Sequence, residues 1–150
     1  MELYSSSNCL TILSFVSLAQ SSSDDILRRA EVMPVFQQCE DPNYADSPYP
    51  CTMKQLSDYI NAAVVLEEMT GNITKCVISL VVEKDGSVSN VQLPRGVFVN
   101  ADTEQEKIAL ENLLNNKIIS TVEGINFLLP AYHNGEKARV MLQFSAPVNY

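Results

Sequence analysis

The chain has 150 residues, enough for one domain and a tail, and its 46% apolar and 19% charged residues are the balance of a protein with a packed core. A net charge of −8 argues against nucleic acid and against an anionic membrane surface as partners, since either needs a basic face. A single histidine, His133, excludes any site built on two or three histidines.

Residues 10–19, LTILSFVSLA, are apolar but too short to span a bilayer as a helix. They end in Ser17-Leu18-Ala19, a small-x-small pattern followed by a polar run, which together predict a secretory signal over residues 1–19. The segment before them, MELYSSSN, carries Glu2 and no Lys or Arg. An ordinary N-terminal strand or helix, or a start codon misassigned upstream of a shorter peptide, are the alternatives. Cys9 precedes the apolar run and so does not sit where a lipoprotein cysteine would. Residues 20–31 read as a polar, mobile leader, and MPVF (33–36) as a short edge strand, because Pro34 forbids a central position.

The four cysteines, Cys9, Cys39, Cys51 and Cys76, allow three full pairings, and removal of residues 1–19 leaves three of them. Cys39 and Cys51 flank EDPNYADSPYP, a loop whose three prolines and two tyrosines oppose helix and central strand alike, so a disulfide between them is expected. Cys76 should be a buried free thiol at the start of a strand. Without C-x-x-C spacing, a metal site on Cys39, Cys51 and Cys76 is disfavoured, and no cofactor is expected.

A first helix is predicted from Thr52, which with Gln55 forms a capping-box pattern. Met53, Leu56, Ile60, Ala63 and Val64 share one face, and the helix should fade between Glu67 and Gly71. The run CVISLVVEKDGSVSNVQL (76–93) then predicts a hairpin about Asp85-Gly86. A two-residue turn sets Lys84 opposite Ser87, Val82 opposite Ser89, Leu80 opposite Val91 and Ile78 opposite Leu93. Cys76, Ile78, Leu80, Val82, Val91 and Leu93 form the core face, with Val77, Ser79, Val81 and Asn90 on the other. A second helix begins at Asp102 or Thr103, with Gln105 or Glu106 placed for a capping box and Glu104 and Glu106 in its first turn. Its stripe is Leu110, Leu113, Leu114, Ile118 and Val122, and Gly124 ends it. A loop around residues 130–137 leads to a last strand over 139–148, where Pro147 marks an edge. The sum is an α+β domain, two helices on an antiparallel sheet of about three strands, with at least one long edge, a hazard unless something is meant to pair with it.

No motif for catalysis stands out. His133 reads as a solvated loop residue, and the phosphate-loop, G-x-S-x-G and H-E-x-x-H patterns are missing. Asn72-Ile73-Thr74 matches a glycosylation sequon, a three-residue pattern frequent by chance. The expectation is a non-enzyme, with a hydrolase pairing His133 with Cys76 or Cys51 as a minor alternative.

Four segments in order, MPVFQQCED, Cys51-Thr52-Met53-Lys54, VISLVVEKDGSVSNVQL and NGEKARVMLQFSAPVNY, together resemble the C-terminal domain of TonB in its Bacteroidetes form. The resemblance spans about residues 32–150. It implies a β-α-β-β-α-β-like periplasmic, or otherwise exported, domain. It further implies capture of an extended peptide, the TonB box of an outer-membrane transporter, added as a strand to the last strand. Here that strand is Val140, Met141, Leu142, Gln143, Phe144, Ser145 and Ala146, running to Pro147. The anchor and proline-rich linker of a full TonB have no counterpart in this sequence, and the expectation is a standalone domain. The alternative is a structural domain whose edge self-pairs in a homodimer, with no energy-transducing role.

Overall fold

The computed structural model describes residues 24–37, 39–40, 48–68 and 70–150. The expected signal segment, Cys9 and the middle of the proline-rich loop lie outside them. In chain order the elements are β1 (Ile26–Leu27), α1 (Pro48–Ala63), β2 (Ile73–Val82), β3 (Val88–Gln92), α2 (Glu104–Glu123), β4 (Ala131–His133) and β5 (Glu136–Asn149).

The class is α+β with two helices, as expected, but the sheet has five strands rather than three and is mixed. The strand order is β1-β5-β2-β3, with β4 also paired to β5. The β1–β5 pairing is parallel and the others are antiparallel. Both extra strands are short. β1 has two residues inside the stretch read as leader, and β4 has three inside the stretch read as loop. What joins β4 to β5 is a two-residue turn, Asn134-Gly135, with φ of 52° and 76°. Asn-Gly is the residue pair that such a turn favours, because both positions need positive φ. The residues at 33–36 form no strand of their own. They are held extended by single bridges, Val32 to Tyr132 and Val35 to Leu129.

Sheet and helices enclose one core. The inward residues of β2 (Cys76, Ile78, Leu80, Val82) and of β5 (Val140, Leu142, Phe144, Ala146, Val148) meet Leu56, Ile60 and Val64 of the α1 region and Leu114, Ile118 and Val122 of α2. Val91 and Leu93 lie at its margin, half-buried. Ser79 and Val81 were expected on the solvent side, yet they are 7% and 0% exposed. Val81 pairs with Ser89 on one side and Met141 on the other, a row of side chains on the face turned from the helices.

The β2–β3 hairpin departs from the expected register in an instructive way. Val82 pairs with Val88 and Val81 with Ser89, so Lys84-Asp85-Gly86 is a three-residue turn. The Glu83 N–H donates to the Ser87 carbonyl (2.8 Å) and the Gly86 N–H to the Glu83 carbonyl (2.9 Å), with Gly86 at φ +85°. This is a type I turn closed by a left-handed glycine, the usual three-residue hairpin. The strand then slips by one, because Asn90 (φ 48°) and Val91 together stand opposite Leu80. Beyond that bulge Ser79 pairs with Gln92, and the expected phase returns.

α1 starts at Pro48, four residues before the predicted cap, and stops at Ala63. Pro48 and Pro50 are accepted because the first-turn N–H groups have no partner within a helix. Thr52 therefore does not cap its own helix. Fully buried, its Oγ1 accepts from the Phe36 N–H (3.1 Å) and donates to the Pro34 carbonyl (3.5 Å), pinning the extended segment to α1. Phe36 in turn stacks edge-on against Phe127 at 5.6 Å. α2 does begin with the expected cap, the Thr103 hydroxyl accepting from the Glu106 N–H at 3.1 Å. Leu113, expected in the core stripe, is 56% exposed.

Cys39 and Cys51 are disulfide-bonded, 12 residues apart, in a small apolar cluster with Val35. Closing a loop of that size contributes about 3 kcal/mol on the chain-entropy estimate. Replacing both cysteines by serine is expected to lower the urea midpoint correspondingly, without loss of the native circular-dichroism spectrum.

Candidate functional site

β5 carries the expected binding residues. Its direction of hydrogen bonding follows from one pair. Asn72 and Tyr150 exchange both backbone bonds, at 3.1 and 2.9 Å. In an antiparallel ladder hydrogen-bonded and non-bonded pairs alternate. The β2–β5 register, Ile73 with Asn149 through Val82 with Val140, is unbroken. The even-numbered residues of β5 from Val140 to Val148 therefore point their N–H and C=O groups at β2. The odd-numbered residues point theirs away from it. Pro147 agrees with this parity: it lacks an N–H, and its carbonyl accepts a bond from Asn61 Nδ2 of α1 at 3.0 Å.

On the outward side, β1 pairs only with Arg139 and Val140. Among the described residues no strand pairs there beyond Val140. The outward edge is thus bounded by β1 at one end and by the Asn61 amide on Pro147 at the other. Between them lie Met141, half-buried, and Gln143 and Ser145, both exposed. Of the seven residues expected to form the site, these three turn their backbone outward. Val140, Leu142, Phe144 and Ala146 place their side chains in the core and their backbone groups on β2. They hold the edge in place but offer it nothing directly. Asn61 and β1, which set the limits of the edge, were not found in the sequence. An asparagine on a helix and two aliphatic residues in a polar stretch give no local signal.

Beside the β1 end lies a charged cluster. Arg139 makes two bonds to the Glu83 carboxylate, Nε to Oε2 at 2.7 Å and Nη2 to Oε1 at 3.0 Å, and Nη1 donates to the Asp24 carbonyl at 2.8 Å. The Ser89 hydroxyl donates to Glu83 Oε1 at 2.5 Å. The paired strands bring these residues together: Arg139 faces Ile26, and Ser89 faces Val81, two positions before Glu83. The Arg139 guanidinium, with the Ser89 hydroxyl, holds the Glu83 carboxyl below its ordinary 4.5. A depressed carboxylate stabilises the fold above the unfolded value, and that contribution is lost as pH falls through the folded value. Glu83→Gln is therefore expected to lower the melting temperature at pH 7, and the gap from wild type to close below about pH 4.5. A gap that stays constant down to pH 3 would contradict the assignment.

Neither cysteine offered for a Cys–His pair is available as a thiolate. Cys51 is in the disulfide, and burial pushes the Cys76 thiol up to about 11. His133 ends β4 rather than sitting in a loop, with Nδ1 3.9 Å from Glu31 Oε1. Among the described residues no three His, Cys, Asp or Glu side chains gather as a metal site would require.

No protein-family model, curated protein or solved structure matches the chain. What the site can do rests on its own geometry. The disulfide is compatible with an exported protein or an oxidising compartment. Among the described residues no helix is long and apolar enough to cross a membrane.

Proposed function

We propose that the chain is an exported protein-binding module that captures an extended peptide by strand addition along the outward side of β5. The observation that carries this reading is the parity of β5: Gln143 and Ser145 turn both backbone groups away from β2, on a side where β1 ends at Val140. Main-chain bonds to such an edge supply affinity and flanking side chains supply selectivity. In line with the TonB resemblance, the peptide is the TonB box of an outer-membrane transporter.

The test is a titration of labelled TonB-box peptides followed by anisotropy, on the intact chain and on Gln143→Pro. Proline there removes one outward N–H and projects its ring into the edge, so affinity should fall at least tenfold, about 1.4 kcal/mol or more. Peptides N-methylated at alternate amides should lose affinity on the intact chain in the same way. Unchanged binding in both arms overturns the proposal. Should light scattering instead show a dimer that Gln143→Pro dissociates, the edge serves self-pairing, and the homodimer reading replaces peptide capture.

A further inference from the structure

A second surface lies away from β5, where the connection from α1 to β2 faces α2. It is a groove of about 930 Å³ lined by residues 65–68, 70 and 72, by 100–102 and by one side of α2. Its apolar floor is poorly covered. Val65 and Leu113 are each 56% exposed, and Leu110 beside them is half-buried against the core. Leu113 belongs by spacing to the inward stripe of α2, yet it opens into the groove rather than the core. An isolated exposed leucine means little, but several apolar side chains converging in one concave surface mark a place where something docks.

The walls say what kind of partner fits. Glu67 and Glu68, from the connection between α1 and β2, and Asp102 and Glu106, at the entry to α2 and in its first turn, all line it. Among the described residues none of these four carboxylates is in an ion pair. Among the described residues Lys117 is the one basic residue lining the groove. Four carboxylates lining one cleft set up a negative potential that gathers cations, and the chain as a whole carries −8. An acidic or purely apolar ligand would leave that charge uncompensated. We infer that this groove docks a short segment of a partner protein in which one or two leucine-sized side chains are flanked by lysine or arginine. The apolar side chains seat on Val65, Leu110 and Leu113, and the flanking cations meet the carboxylates that line the groove. The groove and the β5 edge draw on different residues, so this inference stands or falls separately from strand addition.

The experiment is a methyl-detected NMR titration of the full chain with a peptide of two leucines flanked on each side by two lysines. Saturable shifts at the Val65, Leu110 and Leu113 methyls are expected. Glu67→Lys combined with Glu106→Lys should weaken binding at least tenfold, and so should a rise in salt that screens the walls. Both substituted residues are exposed, so the fold should persist, and circular dichroism checks that it does. Three results would each overturn the inference. One is no saturable shift up to about 1 mM peptide, the limit of a weak complex. Another is the same shifts with a glutamate-flanked peptide. The third is that these methyls shift with protein concentration alone, which assigns the groove to a second copy of the chain.

Discussion

Proline in place of Leu142 is expected to unfold the chain, whereas proline in place of Gln143, one residue further on, leaves it folded. Leu142 is 1% exposed and pairs with Leu80 at the centre of the sheet. By the parity of β5 its N–H points at β2. Proline at that position removes a ladder bond and leaves the Leu80 carbonyl buried without a donor, worth about 1–3 kcal/mol. It also removes a core side chain, for which large-to-small changes cost about 2–5 kcal/mol. The sum is about 5 kcal/mol, comparable with the whole stability of a small domain. Gln143 is exposed, its N–H points outward, and the preceding residue is already extended, as proline requires. Pro147 occupies the same phase of the same strand without breaking it. Far-UV circular dichroism and urea denaturation of the two variants decide the matter. A cooperatively folded Leu142→Pro chain would show that the parity, and with it the outward edge, is wrong.

The second large effect is expected at Gly86. Alanine there must adopt φ +85°, and its Cβ would lie 2.7 Å from the carbonyl oxygen of Phe127, closer than real carbon atoms approach. That carbonyl belongs to the backbone of a buried residue whose N–H is already bonded to the Gly86 carbonyl at 2.8 Å, so neither side yields easily. Gly135 is the control. It has φ +76° but nothing within 4 Å of an added Cβ. Gly135→Ala should cost only the backbone strain, about 1 kcal/mol, while Gly86→Ala should cost about 2–4 kcal/mol. Chemical denaturation of the two variants separates strain from collision. Equal losses would mean that the contact with Phe127 carries no weight.

These contrasts show what could be read from the residues. Alternation along 76–82 identifies the inward face, because side-chain direction depends only on position in a strand. Helical spacing does the same for Leu56, Ile60, Leu114 and Ile118, and a capping residue before an acidic turn narrows the cap to Asp102 or Thr103, of which Thr103 is the one used. The length of the hairpin turn was not legible. Asp-Gly fits a two-residue and a three-residue loop alike, and the bond from the Phe127 N–H to Gly86, some forty positions on, has no local signal in the residues of the turn. Thr52 was misread for a similar reason: its hydroxyl is satisfied by residues 34 and 36, not by its own helix. Which backbone groups of β5 look outward is a matter of hydrogen-bond phase, and side-chain alternation does not contain it. One bonded pair, Asn72 with Tyr150, settles it.

The bulge at Asn90 has a consequence for aggregation along the sheet border. β3 is the other border of the sheet, and the extra residue there bends the strand and puts its donors and acceptors out of step. A flat border at both ends would let molecules add one to the next without limit, as in a fibre. With one border spoiled and the other open only between β1 and Pro147, the described residues offer no second regular edge for unlimited edge-to-edge growth. The bulge keeps that border from serving as a link in such a chain.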